Sequence, residues 1–81
     1  MNIGEKIKSL RIEAGLLQKD LAKMLNIARE TMTGYEVGRS EPDVQTIRKI
    51  CVFLNVSADE LLEIDTKEQK EAILKLKGKI D

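Results

Sequence analysis

The sequence contains no histidine, no tryptophan and a single cysteine. One thiol cannot form an internal disulfide, and a lone thiol without histidine leaves too few ligands for an ordinary zinc site. Histidine is also the commonest general base in enzymes, and the phosphate-binding motifs GxxxxGK(S/T) and GxGxxG are both missing. We therefore expect no catalytic residues, no metal ion and no cofactor, and a protein that is not an enzyme.

Aromatic residues and long apolar runs are also scarce. One Phe and one Tyr are the only aromatic residues, so a core must be built from the aliphatic side chains that dominate the 42% hydrophobic content. No run of about 18 apolar residues is present, which excludes a membrane span. The first ten residues lack the apolar stretch of a signal peptide, so we expect a cytoplasmic protein. A length of 81 residues suits one domain.

Apolar residues recur at helical spacing, and no segment alternates convincingly at the period of two that is typical of a strand. The pattern predicts an all-α fold with helices at residues 3–14, 18–25, 29–36, 44–54 and from about 58 onward. The expected inward side chains are Ile3, Ile7, Leu10, Ala14, Leu21, Ala22, Leu25, Met32, Tyr35, Val44, Ile47, Ile50, Cys51, Leu54, Leu61, Leu62 and Ile64.

Residues with special backbone preferences separate these helices. Glycine and asparagine tolerate the left-handed conformation that ends a helix, and the residues expected to do so are Gly15, Asn26 and Asn55. The loop VGRSEPD at 37–43 contains Gly and Pro, which break a helix. Asp43 is placed to cap the fourth helix, and residues 57–60 fit a capping box for the fifth.

The composition changes at residue 65. We expect a helical domain at residues 1–64 and a charged amphipathic segment at 65–81, with a sixth helix at about 66–77. The apolar stripe of this segment is Ala72, Ile73, Leu76 and Ile80. Such a stripe can pack against a second copy of the chain, fold back on its own domain, or fray at the chain end.

The two short helices at 18–25 and 29–36 are joined by a tight turn at 26–28. This spacing is typical of a helix-turn-helix, in which the second helix projects from the body and enters the major groove of DNA. The apolar side chains that hold the pair together are Leu21, Ala22, Ile27 and Met32.

The segment QKDLAKMLNIARETMTGYEVGRSEP at 18–42, followed by LNVSADELL at 54–62, resembles the phage repressor and Cro-like family, also called the Xre family. The residues that carry the resemblance are Gln18, Leu21, Ala22, Ile27, Met32, Tyr35, Glu36, Gly38 and Pro42. The resemblance covers about residues 3 to 64. It implies a five-helix, repressor-like domain of a bacterial or phage transcriptional regulator, usually a repressor, that binds double-stranded DNA as a homodimer.

Carried over by position, the resemblance implies three groups of residues. Base contacts come from Arg29, Glu30, Thr33 and Gly34 on the exposed face of the recognition helix 29–36, where a guanidinium can bind guanine bidentately. Phosphate contacts come from Gln18, Lys19, Thr31 and Arg39. A structural ion pair joins Arg11 to Glu36. No small-molecule ligand and no membrane partner is implied.

The sequence departs from the family pattern at four positions. Leu17 and Ala28 stand where Ser or Thr usually cap a helix, and losing a cap typically costs about 1 kcal/mol. Asn26 replaces the usual turn glycine. Gly34 lies inside the recognition helix, where glycine costs up to about 1 kcal/mol relative to alanine.

The formal net charge is zero, with 14 basic and 14 acidic residues, so a DNA-binding face depends on the local placement of charge. The alternative function is a helix-turn-helix module that binds a protein, as in an antitoxin. Taken alone, Arg29 and Glu30 also fit a solvated charge pair on a surface helix, and Cys51 fits a small core residue better than a redox sensor.

Overall fold

The computed structural model describes residues 3–62 together with Leu74 and Lys75. Within that part, the chain forms five helices, which are α1 (Ile3–Glu13), α2 (Gln18–Leu25), α3 (Arg29–Glu36), α4 (Val44–Leu54) and α5 (Ala58–Leu62). The prediction of an all-α, five-helix domain is confirmed, and the predicted bounds of α2, α3 and α4 agree with the structure.

The domain boundary at residue 64, the bulk of the predicted sixth helix and the stripe of Ala72, Ile73, Leu76 and Ile80 lie outside the described residues. Leu74 and Lys75 have helical backbone, and both are exposed. None of the helices in the described part of the chain is both long enough and apolar enough to cross a lipid bilayer.

The core formed by the described residues lies between all five helices, and its buried side chains are aliphatic apart from one methionine. Its buried members are Ile7, Leu10, Leu21, Ala22, Leu25, Met32, Ile50, Leu54 and Leu61. Helix α1 packs against α3, α4 and α5, while α2 packs against α3 and α4. Cys51 packs against this core, and burial raises the pKa of its thiol. A protonated thiol is a poor nucleophile, which fits a packing role.

Of the described residues expected inside, three are exposed, while Ile64 lies outside the described residues. Val44 is 72% exposed because it is the first residue of α4, where that helix extends beyond the core. Leu62 is 43% exposed because it follows the buried Leu61 at the last position of α5, and adjacent helical residues point about 100° apart. Ala14 is exposed because α1 already ends at Glu13.

The helix ends follow the predicted backbone preferences. Asn26, Asn55 and Gly15 all have positive φ, at 57°, 54° and 75°. The carboxylate of Asp43 accepts a hydrogen bond of 2.8 Å from the backbone N–H of Thr46 at the start of α4, and the hydroxyl of Ser57 caps α5. Hydrogen bonds from Thr46 lower the pKa of Asp43. The contribution of this cap to stability is therefore fully present above the ordinary carboxyl pKa and is lost as the pH falls through the lowered pKa of the folded state.

Helices α1 and α3 approach so closely that one position of α1 must be a glycine. A Cβ atom at Gly4 would collide with the carbonyl oxygen of Tyr35 and lie 3.1 Å from that of Glu36. Both obstacles are backbone atoms, which a side-chain rotation cannot move. Gly4 thus sets the distance at which the C-terminal end of α3 is held against the body of the domain.

Candidate nucleic-acid interface

The turn between α2 and α3 fixes how α3 leaves the domain. Asn26 ends α2 in the left-handed conformation, and the backbone N–H of Ile27 donates to the carbonyl of Ala22 over 3.0 Å. The half-buried side chain of Ile27 packs against the core, while Met32 of α3 is fully buried. One face of α3 is therefore anchored and the opposite face is left at the surface.

The residues predicted to contact DNA differ in their exposure. Arg29 and Glu30 at the start of α3 are exposed, and so are Lys19 of α2 and Arg39 of the following loop. The half-buried members of the set are Gln18, Thr31 and Thr33. Seven of the eight predicted contact residues therefore keep some accessible surface.

Gly34 is the exception, because it is buried. Its carbonyl accepts hydrogen bonds from the backbone N–H groups of Arg39 and Ser40, and a Cβ at this position would lie 3.1 Å from the hydroxyl oxygen of Ser40. The loop after α3 folds back over the glycine. The expectation that Gly34 lies on the exposed face is wrong, since periodicity within α3 does not reveal where the loop returns.

A cationic cleft lies where the start of α2 meets the start of α3. It has a volume of about 400 Å³ and is lined by Arg11, Leu17, Gln18, Lys19 and Arg29. Among the described residues that line it, Arg11, Lys19 and Arg29 are cations and none is acidic; Arg11 is paired with Glu36, so the unpaired positive charge comes from Lys19 and Arg29. The first backbone N–H groups of a helix also have no intrahelical acceptor. A concave site with these properties favours an anion such as a phosphate group.

Arg11 and Glu36 form a buried ion pair behind this cleft. The guanidinium donates from Nε to Oε2 of Glu36 over 2.7 Å and from Nη2 to Oε1 over 3.0 Å. A third bond of 2.8 Å joins Nη1 to the carbonyl of Leu16. The side chains are 9% and 1% exposed, so the pair ties α1 to the end of α3 almost without solvent.

Gln18 belongs to the same network, which the sequence did not reveal. Its Nε2 donates to Oε1 of Glu36 over 3.1 Å, and its Oε1 accepts from the hydroxyl of Thr33 over 3.2 Å. Residues 18 and 33 are far apart along the chain, and only the packing of α2 against α3 brings them together. Periodicity within a single helix carries no signal for such a contact.

Leu17 before α2 and Ala28 before α3 both lack a capping side chain, and the hydrogen bonds at these two helix starts differ. At Leu17 the backbone N–H donates to the carboxylate of Asp20 over 2.9 Å, which is the half of a capping box that an apolar residue still permits. At Ala28 no side chain of the described residues accepts a hydrogen bond from the start of α3. The N–H of Thr31 donates to the carbonyl of Ala28 over 3.1 Å, whereas those of Arg29 and Glu30 have no acceptor among the described residues and remain open to solvent or to an external acceptor.

No group of three or more Cys, Asp or Glu side chains within the described residues is arranged to hold a metal ion. The chemistry that these residues offer is hydrogen bonding and charge attraction, from the exposed side chains of α3 and from the adjacent cleft.

Comparisons with known proteins agree with this architecture. A family model described as helix-turn-helix, HTH_3, matches residues 7–61. The HTH-type transcriptional regulator ImmR of Bacillus subtilis (strain 168) is 37% identical over 70 residues, which cover 86% of this chain and 55% of ImmR. The chain spans about half the length of the first curated relatives it matches.

Two solved structures with similar folds are complexes with DNA. The P22 c2 repressor bound to a synthetic operator superposes with a TM-score of 0.73 at 26% identity, covering 80% of this chain and 98% of the repressor chain. The biofilm regulator SinR in complex with DNA gives a TM-score of 0.68 at 30% identity, covering 73% of this chain and 95% of the SinR chain. Since the family model matches more than half of its residues, the chain belongs to the helix-turn-helix family HTH_3.

Proposed function

We propose that the chain binds double-stranded DNA sequence-specifically and acts as a transcriptional regulator of the repressor type, with α3 in the major groove. The observation that carries the proposal is the exposed start of α3 beside a cleft lined by the exposed cations Lys19 and Arg29. Support comes from P22 c2 and SinR, which have this fold and were crystallised with DNA. The proposal places the chain in the cytoplasm, with the DNA.

The accessible side chains of this surface receive roles from their chemistry. Arg29 is proposed to read guanine, because its guanidinium can donate two parallel hydrogen bonds to the base edge. Glu30 is proposed to accept from a cytosine amino group. Lys19, Thr31 and Arg39 are proposed to contact phosphates on either side of α3, since cations and hydroxyl groups fix the register of a protein on the duplex.

The roles of Arg29 and Arg39 can be separated with an operator selected from random duplexes. We expect Arg29→Ala to cost about 1–3 kcal/mol and to relax the preference at one base pair. We expect Arg39→Ala to weaken binding evenly for all sequences and to reduce the slope of log K against log salt by about one. Titrations at several salt concentrations, with repeated selection for each variant, measure both effects.

Lys23→Ala is the matched control, because Lys23 is an exposed cation of α2 that does not line the cleft. It should change the salt slope less than Arg39→Ala does. An unchanged site preference in Arg29→Ala would remove α3 as the reading helix. Wild-type protein that shows no salt-dependent binding to any duplex would contradict the proposal and favour the protein-binding alternative.

We further propose that the chain binds DNA as a homodimer, with α5 and the segment 65–81 at the interface. Regulators of this fold read two half-sites about one helical turn apart, which requires two-fold symmetry. The apolar side chains of Leu62 at the end of α5 and of Leu74 are 43% and 66% exposed, and a second copy would cover such surface.

Truncation after Asp65 is expected to weaken the dimer, because it removes the apolar stripe of the segment 65–81. Sedimentation equilibrium of the full and truncated chains measures the change. Equal dimerisation of both chains would exclude the segment from the interface, and a full-length monomer at high concentration would contradict the homodimer itself.

A further inference from the structure

The side-chain amide of Gln18 is held by a hydrogen bond at each end. The carboxylate of Glu36 accepts from Nε2, and the hydroxyl of Thr33 donates to Oε1. Glu36 is itself fixed by two bonds from Arg11. The amide therefore sits at the end of a buried network, at the wall of the cationic cleft that it helps to line.

These two contacts select one orientation of the amide. Reversing it would place Oε1 against the carboxylate of Glu36, where two acceptors repel each other. In the observed orientation, one N–H of Nε2 is used by Glu36, and the other has no acceptor among the described residues. That second N–H is available to an anion in the cleft. The bond from Thr33 restrains the opposite end, so the side chain has less freedom to turn away.

We propose that Thr33 is a positioning residue, whose hydroxyl orients Gln18 to donate to a DNA phosphate, and that it does not read a base. The inference rests on the proposed function. It rests on the hydrogen bond from the Thr33 hydroxyl to Oε1 of Gln18, because a hydroxyl has a single donor and a donor directed at Gln18 cannot also donate to a base. Sequence position alone placed Thr33 among the base contacts.

The test compares Thr33→Val with Thr33→Ser on a selected operator, in wild-type and Gln18→Ala backgrounds. Valine keeps the branched shape and loses the hydroxyl, whereas serine keeps the hydroxyl. We expect Thr33→Val to lower affinity about two- to tenfold for every duplex, the worth of one neutral hydrogen bond, while leaving the base preference unchanged. Thr33→Ser should stay within about twofold of wild type.

In the Gln18→Ala background, Thr33→Val should cause no further loss, because the group that it positions is gone. Thr31→Val is the control. Thr31 lies on the same helix, but no hydrogen bond of its hydroxyl occurs within the described residues. Any loss of affinity caused by Thr31→Val should therefore add to the loss caused by Gln18→Ala. If valine at position 33 destabilises the fold, the pair Thr33→Ala and Thr33→Ser isolates the hydroxyl equally well.

A changed base preference in Thr33→Val, or a loss that adds to that of Gln18→Ala, would overturn the positioning role and leave DNA binding intact. Wild-type protein that binds no duplex overturns the proposed function and this inference with it. The wild-type titration comes first, so the two failures are distinguished.

Discussion

Glu36→Ala is expected to lower the free energy of unfolding by about 3–5 kcal/mol, because it leaves the guanidinium of Arg11 buried without its counter-charge. Water has little access to solvate the guanidinium in place of the lost carboxylate, since the Glu36 side chain is 1% exposed. The variant also removes the acceptor for Gln18. Small domains are stable by only about 5–15 kcal/mol, so this is a large share of the total. Urea unfolding followed by circular dichroism measures it.

Glu30→Ala is the matched control for this change. Glu30 is an exposed glutamate of the same helix, and its loss should alter stability by no more than about 0.5 kcal/mol. Replacing both partners, with Arg11→Met and Glu36→Leu, should destabilise less than Glu36→Ala, because no buried charge is left. Equal urea midpoints for Glu36→Ala and wild type would mean that the pair contributes nothing to stability.

Gly4→Ala is the second substitution with a large expected effect, at about 3 kcal/mol, the upper end for overpacking. The added methyl group meets the backbone carbonyls of Tyr35 and Glu36, so α1 and α3 must move apart. Such a shift would also stretch the bonds from Arg11 of α1 to Glu36 of α3. Thermal unfolding of the variant and of wild type at equal protein concentration checks the expectation.

Gly34→Ala makes the same chemical change in a different environment and serves as the comparison. Its Cβ would meet only the hydroxyl of the exposed Ser40, which can rotate away. Alanine is favoured over glycine inside a helix by up to about 1 kcal/mol, so we expect little loss or a small gain. If Gly4→Ala cost no more than Gly34→Ala, the close approach of α1 and α3 would not limit stability.

The parts of the fold that the sequence predicted are those fixed by local physics. Helices α2 and α4 end where expected, because Asn26 and Asn55 adopt the left-handed conformation that ends a helix. The cap at Asp43 was predictable for the same reason, since a capping side chain bonds to a backbone group three residues away.

The features that the sequence did not predict depend on which residues of other elements lie opposite them in the folded structure. Val44 fits the apolar stripe of α4 and yet is exposed, because none of the other four helices that the structure describes covers the start of that helix. Gly34 fits the outer face of α3 and yet is buried, because the following loop returns over it. The sequence did not indicate that position 4 must be a glycine, since the atoms that exclude a Cβ there are carbonyl oxygens of α3. The bond between Thr33 and Gln18 is likewise non-local.

The side chains of α3 fall into two sets that differ in how freely evolution can replace them. Thr33 and Glu36 are tied into the network that holds α1, α2 and α3 together. The side chains of Arg29 and Glu30 are exposed and make no hydrogen bond with any other residue that the structure describes. Mutation can therefore replace residues 29 and 30 without loss of folded protein. If these two read the operator, the lineage can acquire a new target site by drift at two surface positions while its scaffold stays under purifying selection.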